Sequence, residues 1–253
     1  MSLELRNIGK SFGGFRALDG VSLSLADGAM AGVIGPNGAG KSTLFAVISG
    51  FSAPDSGEVR LDGRSLNGLA PAARAQAGMV RSFQVPREFR HLTVRENLLA
   101  AAPGQTGESL FGLFFRGRQV AREEAVIRDQ AEAIIAQLNL RAVADIPAGR
   151  LSGGQKKLLE LARVLMVRPR TILLDEPFAG VNPVLIGEIE GHIRALNAQG
   201  IAFLIIEHDL AALSRLVPHL TVLDQGRVIA AGSPRAVLAE PAVRDAYLGG
   251  AAP

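Results

Sequence analysis

Apolar and polar positions alternate at the start of the chain and then change period. Leu3 and Leu5 point one way, and Val21, Leu23 and Leu25 repeat with period two, the pattern of half-buried antiparallel strands. Met30–Ile34 is apolar throughout and predicts a buried strand. Ser42–Ser49 has helical spacing, with Gly50 positioned as its C-cap. A Pro/Asp/Gly loop over 52–57, a strand over 58–61 and a turn at Asp62-Gly63 come next. From about Val85 to Arg168 the spacing is helical, over 98–102, 121–138 and 155–166. Short apolar runs return at 171–174, 201–206 and 220–223, separated by helical patterns over 183–197 and 210–216. Strands alternating with helices predict an α/β fold whose mainly parallel sheet is covered on both faces. The helical middle reads as an insertion into that sheet domain.

Composition narrows the classes. At 253 residues the chain can bury one full core. A net charge of +3 is too small to point to nucleic acid. With no cysteine, neither a disulfide framework nor a thiolate metal site can form. The first residues carry no signal-like apolar stretch, and no run of 18 apolar residues suggests a membrane span.

The chemistry concentrates in a few motifs. Gly35-Pro36-Asn37-Gly38-Ala39-Gly40-Lys41-Ser42 has the P-loop form G-x-x-x-x-G-K-[ST], between a predicted strand and a predicted helix. In that setting, backbone N–H groups at a helix N-terminus cradle phosphate oxygens. Lys41 is expected to meet the β- and γ-phosphates, the Ser42 hydroxyl to ligate Mg²⁺, and Thr43 to reach a phosphate oxygen. Thr171-Ile-Leu-Leu-Asp175-Glu176 is an apolar strand that ends in two carboxylates before Pro177. Neighbouring strand residues point oppositely, so the two cannot share one role unless the strand ends there, and Pro177 does end it. Asp175 is assigned to the Mg²⁺ shell and Glu176 to orienting or deprotonating the attacking water. Upstream, Leu151-Ser152-Gly153-Gly154-Gln155 opens an amphipathic helix and is a second anion site. One nucleotide seldom needs two such sites from one chain, so the second is expected to meet a γ-phosphate held by another subunit.

Together these motifs resemble the Walker A, Walker B and signature elements of ATP-binding cassette (ABC) proteins, over essentially the whole chain. The resemblance implies a P-loop NTPase (RecA-like) core of about 1–84 and 169–235, with N-terminal antiparallel strands. It also implies an inserted helical subdomain of about 85–168 and a C-terminal tail of about 236–253. In that family two ATP-binding subunits pack head to tail, so Ser152, Gly153 and Gly154 would contact the partner's ATP. Gln84 looks like the Q-loop glutamine, which senses Mg²⁺ and water, and His208 like the switch histidine at the γ-phosphate. Phe12 occupies the place of the adenine-stacking aromatic, with Phe15 a nearby competitor. The usual Leu-Asp end of the D-loop is replaced by Val181-Asn182, an N-cap before Pro183 that lacks the carboxylate.

Four features resemble one subgroup, the larger ATP-binding subunit of branched-chain amino acid importers. They are the stretch 83–94, Asn182, Glu207-His208-Asp209 and the ending Ala246-Tyr-Leu-Gly249. The implied partners are a second ATP-binding subunit, identical or paralogous, polytopic permease subunits, and indirectly a periplasmic binding protein. The implied location is the cytoplasmic face of the membrane. Rival readings are a urea or amide importer and a lipid or lipopolysaccharide exporter. A translation-type cassette ATPase needs two nucleotide-binding halves, and a DNA-repair type needs a long heptad insertion; this chain has one P-loop and no sustained heptad.

Overall fold

The opening alternation becomes a hairpin of two long strands, β1 (Leu3–Phe12) and β2 (Phe15–Leu25), turning at Gly13-Gly14. The computed structural model describes residues 2–82, 88–105 and 117–248. The chain continues through β3 (Met30–Ile34), α1 (Lys41–Ser49), β4 (Ser56–Leu61), β5 (Arg64–Ser65), α2 (Pro71–Gln76) and β6 (Met79–Arg81). Helices α3 (Val94–Ala101), α4 (Gly117–Gln137) and α5 (Gly153–Met166) come next. After them lie β7 (Thr171–Asp175), α6 (Pro183–Ala198), β8 (Ala202–Ile206) and α7 (Leu210–Leu216). Strands β9 (His219–Asp224) and β10 (Arg227–Gly232) and helices α8 (Pro234–Ala239) and α9 (Pro241–Leu248) complete the described chain.

Met1–Gln84, Pro169–Ala179 and Ile186–Pro253 make one compact unit, and Val85–Arg168 with Gly180–Leu185 make the other. The first unit holds two sheets. One is antiparallel, in the order β2-β1-β4-β5. Leu3 pairs with Leu25 on one side and Leu61 on the other, and Leu5 with Leu23 and Val59. That register puts the apolar set of three strands on one face, as the period-two pattern requires. The second sheet has the order β10-β9-β3-β8-β7-β6, with only β10 antiparallel to its neighbour. β3, β7 and β8 are buried along their whole length, which is why they read as continuous apolar runs rather than alternations. Leu44, Phe45, Val47 and Ile48 of α1 are fully buried, and one core joins them to residues of both sheets. Each such side chain withdrawn from water contributes about 1.5–3 kcal/mol before entropy is counted.

The second unit is helical. Thr93 caps α3 in a reciprocal box: its hydroxyl accepts from the Glu96 amide at 3.2 Å, and Glu96 Oε2 accepts from the Thr93 amide at 2.7 Å. Val94 and Leu98 of α3, Ile134 and Ile135 of α4, and Leu158, Leu159 and Ala162 of α5 are buried. Asn97, fully buried, donates to the carbonyls of Phe89, Leu92 and Thr93 and accepts from the Phe89 amide. Gln130 of α4 donates to the Met166 carbonyl at 3.0 Å and so satisfies a group at the end of α5.

The expected strands and helices are present, with ends displaced by a few residues. The loop expected over 52–57 gives up Ser56 and Gly57 to β4. Residues 71–81 and 227–248 carry elements that the sequence pattern does not announce: α2, β6, β10, α8 and α9.

Candidate functional site

Three neighbouring strands of the second sheet, β3, β8 and β7, run parallel and end at the same edge. Val33 pairs with Ile206, and Ile206 with Asp175, so one row of residues crosses all three strands just before their loops begin. The loops at the three strand ends therefore converge: the P-loop after β3, Glu176 after β7, and His208 after β8. Carboxyl ends of adjacent strands are where an open α/β sheet holds ligands.

The P-loop turns from β3 into α1. Only glycine fits at Gly35, where an added Cβ would lie 2.1 Å from the Leu223 carbonyl oxygen. Gly40, at φ 100°, is similarly confined, its added Cβ lying 2.5 Å from the Ala17 carbonyl oxygen. Lys41 is 6% exposed, and its ammonium donates to the carbonyls of Gly35 at 2.6 Å and Pro36 at 2.9 Å. Burial pushes its pKa down, and the charges of Glu176 and Asp175 partly offset that. Ser42 is exposed and Thr43 half-buried in the first turn of α1. A cleft of about 450 Å³ opens here, lined by Phe15, the loop from Asn37 to Thr43, Glu176 and His208 among others.

Asp175 is the last residue of β7 and is 3% exposed. Glu176 then adopts φ 50°, a left-handed conformation that costs a non-glycine residue about 1–2 kcal/mol. Its amide donates to the Ile206 carbonyl at 2.9 Å. The strand expected to end in both carboxylates thus stops between them, one residue earlier. Glu176 Oε1 lies 2.8 Å from His208 Nε2, while Asp175 Oδ2 accepts from an Arg81 guanidinium nitrogen at 2.6 Å. Glu207, beside His208, is 3% exposed. Burial pushes its carboxyl pKa up, against three backbone amides that pull it down.

Sequence reasoning missed Arg81. Its guanidinium donates to Asp175 Oδ2 at 2.6 Å and lies 5.8 Å from the centre of the Phe45 ring. A three-residue strand has too few positions to show periodicity, and its partner lies 94 residues on. No sequence signal pointed to the pair. Removing one member of a buried ion pair leaves the other charge uncompensated. Arg81→Met should therefore lower the unfolding free energy by about 3 kcal/mol in urea titration. A loss under about 1 kcal/mol would match an exposed pair instead.

Phe12 and Phe15 face each other across the β1–β2 turn. Phe15 lines the cleft; Phe12 is absent from its lining, and Lys10 Nζ lies 5.3 Å from the Phe12 ring centre.

Ser152, Gly153, Gly154 and Gln155 belong to the second unit. Ser152 is the N-cap of α5: its hydroxyl accepts from the Gln155 amide at 3.3 Å, and Gln155 Oε1 accepts from the Ser152 amide at 3.0 Å. The two glycines differ. An added Cβ at Gly154 would come 1.5 Å from the Leu185 side chain, whereas at Gly153 it would meet nothing within 4 Å. Packing explains Gly154. Gly153 is exposed, with open space beside it for an approaching group. Asn182 Oδ1 accepts from the Leu185 amide at 3.0 Å, the N-cap expected before Pro183. Gln84 lies outside the described residues.

The chain is similar to known proteins over nearly its whole length. The profile of the family described as "ABC transporter" matches residues 18–179, and that of "Branched-chain amino acid ATP-binding cassette transporter" matches 227–253. The chain is 42% identical over 251 residues to a probable branched-chain amino acid transport ATP-binding protein LivG of Methanocaldococcus jannaschii, covering 98% of this chain and 97% of that one. It is 37% identical to the high-affinity branched-chain amino acid transport ATP-binding protein BraF of Pseudomonas aeruginosa, over 98% and 97% of the two chains. Among solved structures, the ADP conformation of an ATP-binding cassette from an ABC transporter matches with a TM-score of 0.85 and 42% identity, over 98% and 99% of the chains. A dimeric cassette in a post-hydrolysis state, bound to ADP and Pi, matches with a TM-score of 0.74 and 26% identity, over 92% and 99%.

Proposed function

This chain belongs to the ABC transporter family, and on that premise we propose that it is the ATP-hydrolysing subunit of a branched-chain amino acid importer, acting as one half of an ATP-sandwich dimer. The observation that carries the reading is the convergence of Lys41, Glu176 and His208 on one cleft at the ends of β3, β7 and β8. The substrate class rests on the names of the relatives at 42% and 37% identity and on the C-terminal profile match.

In this reading the P-loop amides from Gly35 to Ser42 hold the triphosphate, and Lys41 turns its ammonium to the β- and γ-phosphates. Phe15, which lines the cleft, is the better candidate than Phe12 for stacking on adenine. The Ser42 hydroxyl and the Asp175 carboxylate are oxygen donors, the type Mg²⁺ takes. When bound, Mg²⁺ supplies charge neutralisation on the phosphates. Glu176 holds the attacking water and takes its proton, and His208 orients Glu176 and meets the γ-phosphoryl oxygens. Gln84 keeps its place in the metal shell by resemblance alone.

Ser152, Gly153 and the start of α5 close over the nucleotide of a second ATP-binding subunit, identical or paralogous. ATP then favours the closed dimer, because only there is it fully liganded. In this reading permease subunits carry the substrate path and the chain sits on the cytoplasmic face, with a binding protein delivering substrate on the other side. The names of the relatives, amino acid transport ATP-binding proteins, support it.

Reconstitution with its permease subunits in proteoliposomes tests the reading. ATP-driven uptake of leucine, isoleucine or valine, lost on Glu176→Gln, is the expected result. ATP-driven movement of urea, or extraction of lipid, without amino acid uptake would refute the substrate.

A further inference from the structure

Two loops must be held together for Glu176 and His208 to meet: the turn after β7 and the turn after β8. Three ties join them. The Glu176 amide donates to the Ile206 carbonyl at 2.9 Å, and the side chains of Glu176 and His208 lie 2.8 Å apart. The third tie is Glu207. Its Oε1 accepts from the Phe178 amide, in the turn after β7, at 2.6 Å. Its Oε2 accepts from the His208 amide at 2.9 Å and the Asp209 amide at 3.5 Å, in its own turn. One buried carboxylate thus bridges the backbone of both loops, and Phe178 beside it is 4% exposed.

We propose that Glu207 is a positioning residue for hydrolysis, bridging the Phe178 and His208 amides so that Glu176 and His208 stay in register. The inference rests on the proposed roles of Glu176 and His208. Glu207 does not line the cleft, so it acts on the reaction through the two turns and not through the nucleotide. The turn it holds carries Glu176 in a left-handed conformation, closed by an Ala179 amide to Glu176 carbonyl bond of 3.2 Å. Without the bridge, the loop would lose a side-chain tie to its neighbour and keep the backbone bond to Ile206 and the Glu176–His208 contact. Downstream, Asp209 caps α7 through Oδ1 to the Ala212 amide at 2.9 Å, which anchors the far end of the His208 turn independently.

Glu207→Gln tests this, because it keeps the shape but replaces one acceptor with an amide donor facing another donor. In the full chain assembled with its partners, kcat for ATP should fall roughly 10- to 100-fold. The Kd of a fluorescent ATP analogue should stay within about threefold, since the phosphate cradle is untouched. In a His208→Ala background, Glu207→Gln should add less than about a further twofold loss, because the two act as a unit. Glu207→Asp, which keeps two acceptors on a shorter arm, should recover part of kcat. A kcat within twofold of the parent, equal losses in kcat and affinity, full additivity with His208→Ala, or a loss accounted for by the fraction unfolded would each overturn the proposal. Glu176→Gln run in parallel separates the failures. If it stops turnover while Glu207→Gln is silent, only this inference falls; if it does not, the reading of the site falls with it.

Discussion

Glu176→Gln should reduce ATP turnover by about 10²–10⁴-fold and leave nucleotide binding intact. Among the described residues that line the cleft, Glu176 is the one carboxylate. It shares that cleft with Lys41 and is fixed on both sides, by a left-handed backbone and by His208 at 2.8 Å. Glutamine preserves the size and the contact with His208 but cannot accept a proton from water. In the proposed cycle bound ATP closes the dimer and hydrolysis opens it, so the variant should accumulate as an ATP-bound dimer. Phosphate release and sedimentation in the presence of ATP read the two effects separately. Turnover within about tenfold of the parent would remove Glu176 from its role.

Lys41→Ala should act one step earlier and weaken binding. Lys41 is 6% exposed and its ammonium is held by two P-loop carbonyls, so it is already aimed into the loop that cradles the phosphates. Losing a buried, hydrogen-bonded charge partner costs roughly 2–5 kcal/mol, about 30-fold to several thousandfold in affinity. Titration with a fluorescent ATP analogue should show that loss without a comparable drop in melting temperature. A near-normal Kd would mean that the amides of the loop carry the triphosphate unaided.

The strands that build the site were readable because each is buried on both faces. Met30–Ile34, Thr171–Asp175 and Ala202–Ile206 leave continuous apolar runs, and the loop motifs sit at their ends. The hairpin of β1 and β2 was readable for the opposite reason: one face is wet, so the apolar positions alternate. β6 and α2, at three and six residues, are too short for either period to emerge. The residues that brace the site were hidden for a different reason. Arg81 meets Asp175 across 94 positions, and Glu207 meets the Phe178 amide across 29. Such pairings are products of strand order, which no local pattern encodes. Phe12 and Phe15 could not be told apart from their spacing, since both flank the same two-glycine turn; only the shape of the cleft distinguishes them.

The contrast between Gly153 and Gly154 bears on the proposed dimer. Leu185 accounts for the second glycine from within the chain, and nothing in the described residues accounts for the first. An exposed helix start with its Ser152 hydroxyl engaged by its own capping box still offers backbone N–H groups to an outside anion.

The most direct test is a structure of the assembled transporter carrying Glu176→Gln, determined with ATP and Mg²⁺. The account predicts the Ser152 hydroxyl or the Gly153 amide within hydrogen-bonding distance of a γ-phosphate seated in the other subunit's P-loop. ATP fully enclosed by a single subunit, with Ser152 remote from every γ-phosphate, would contradict it.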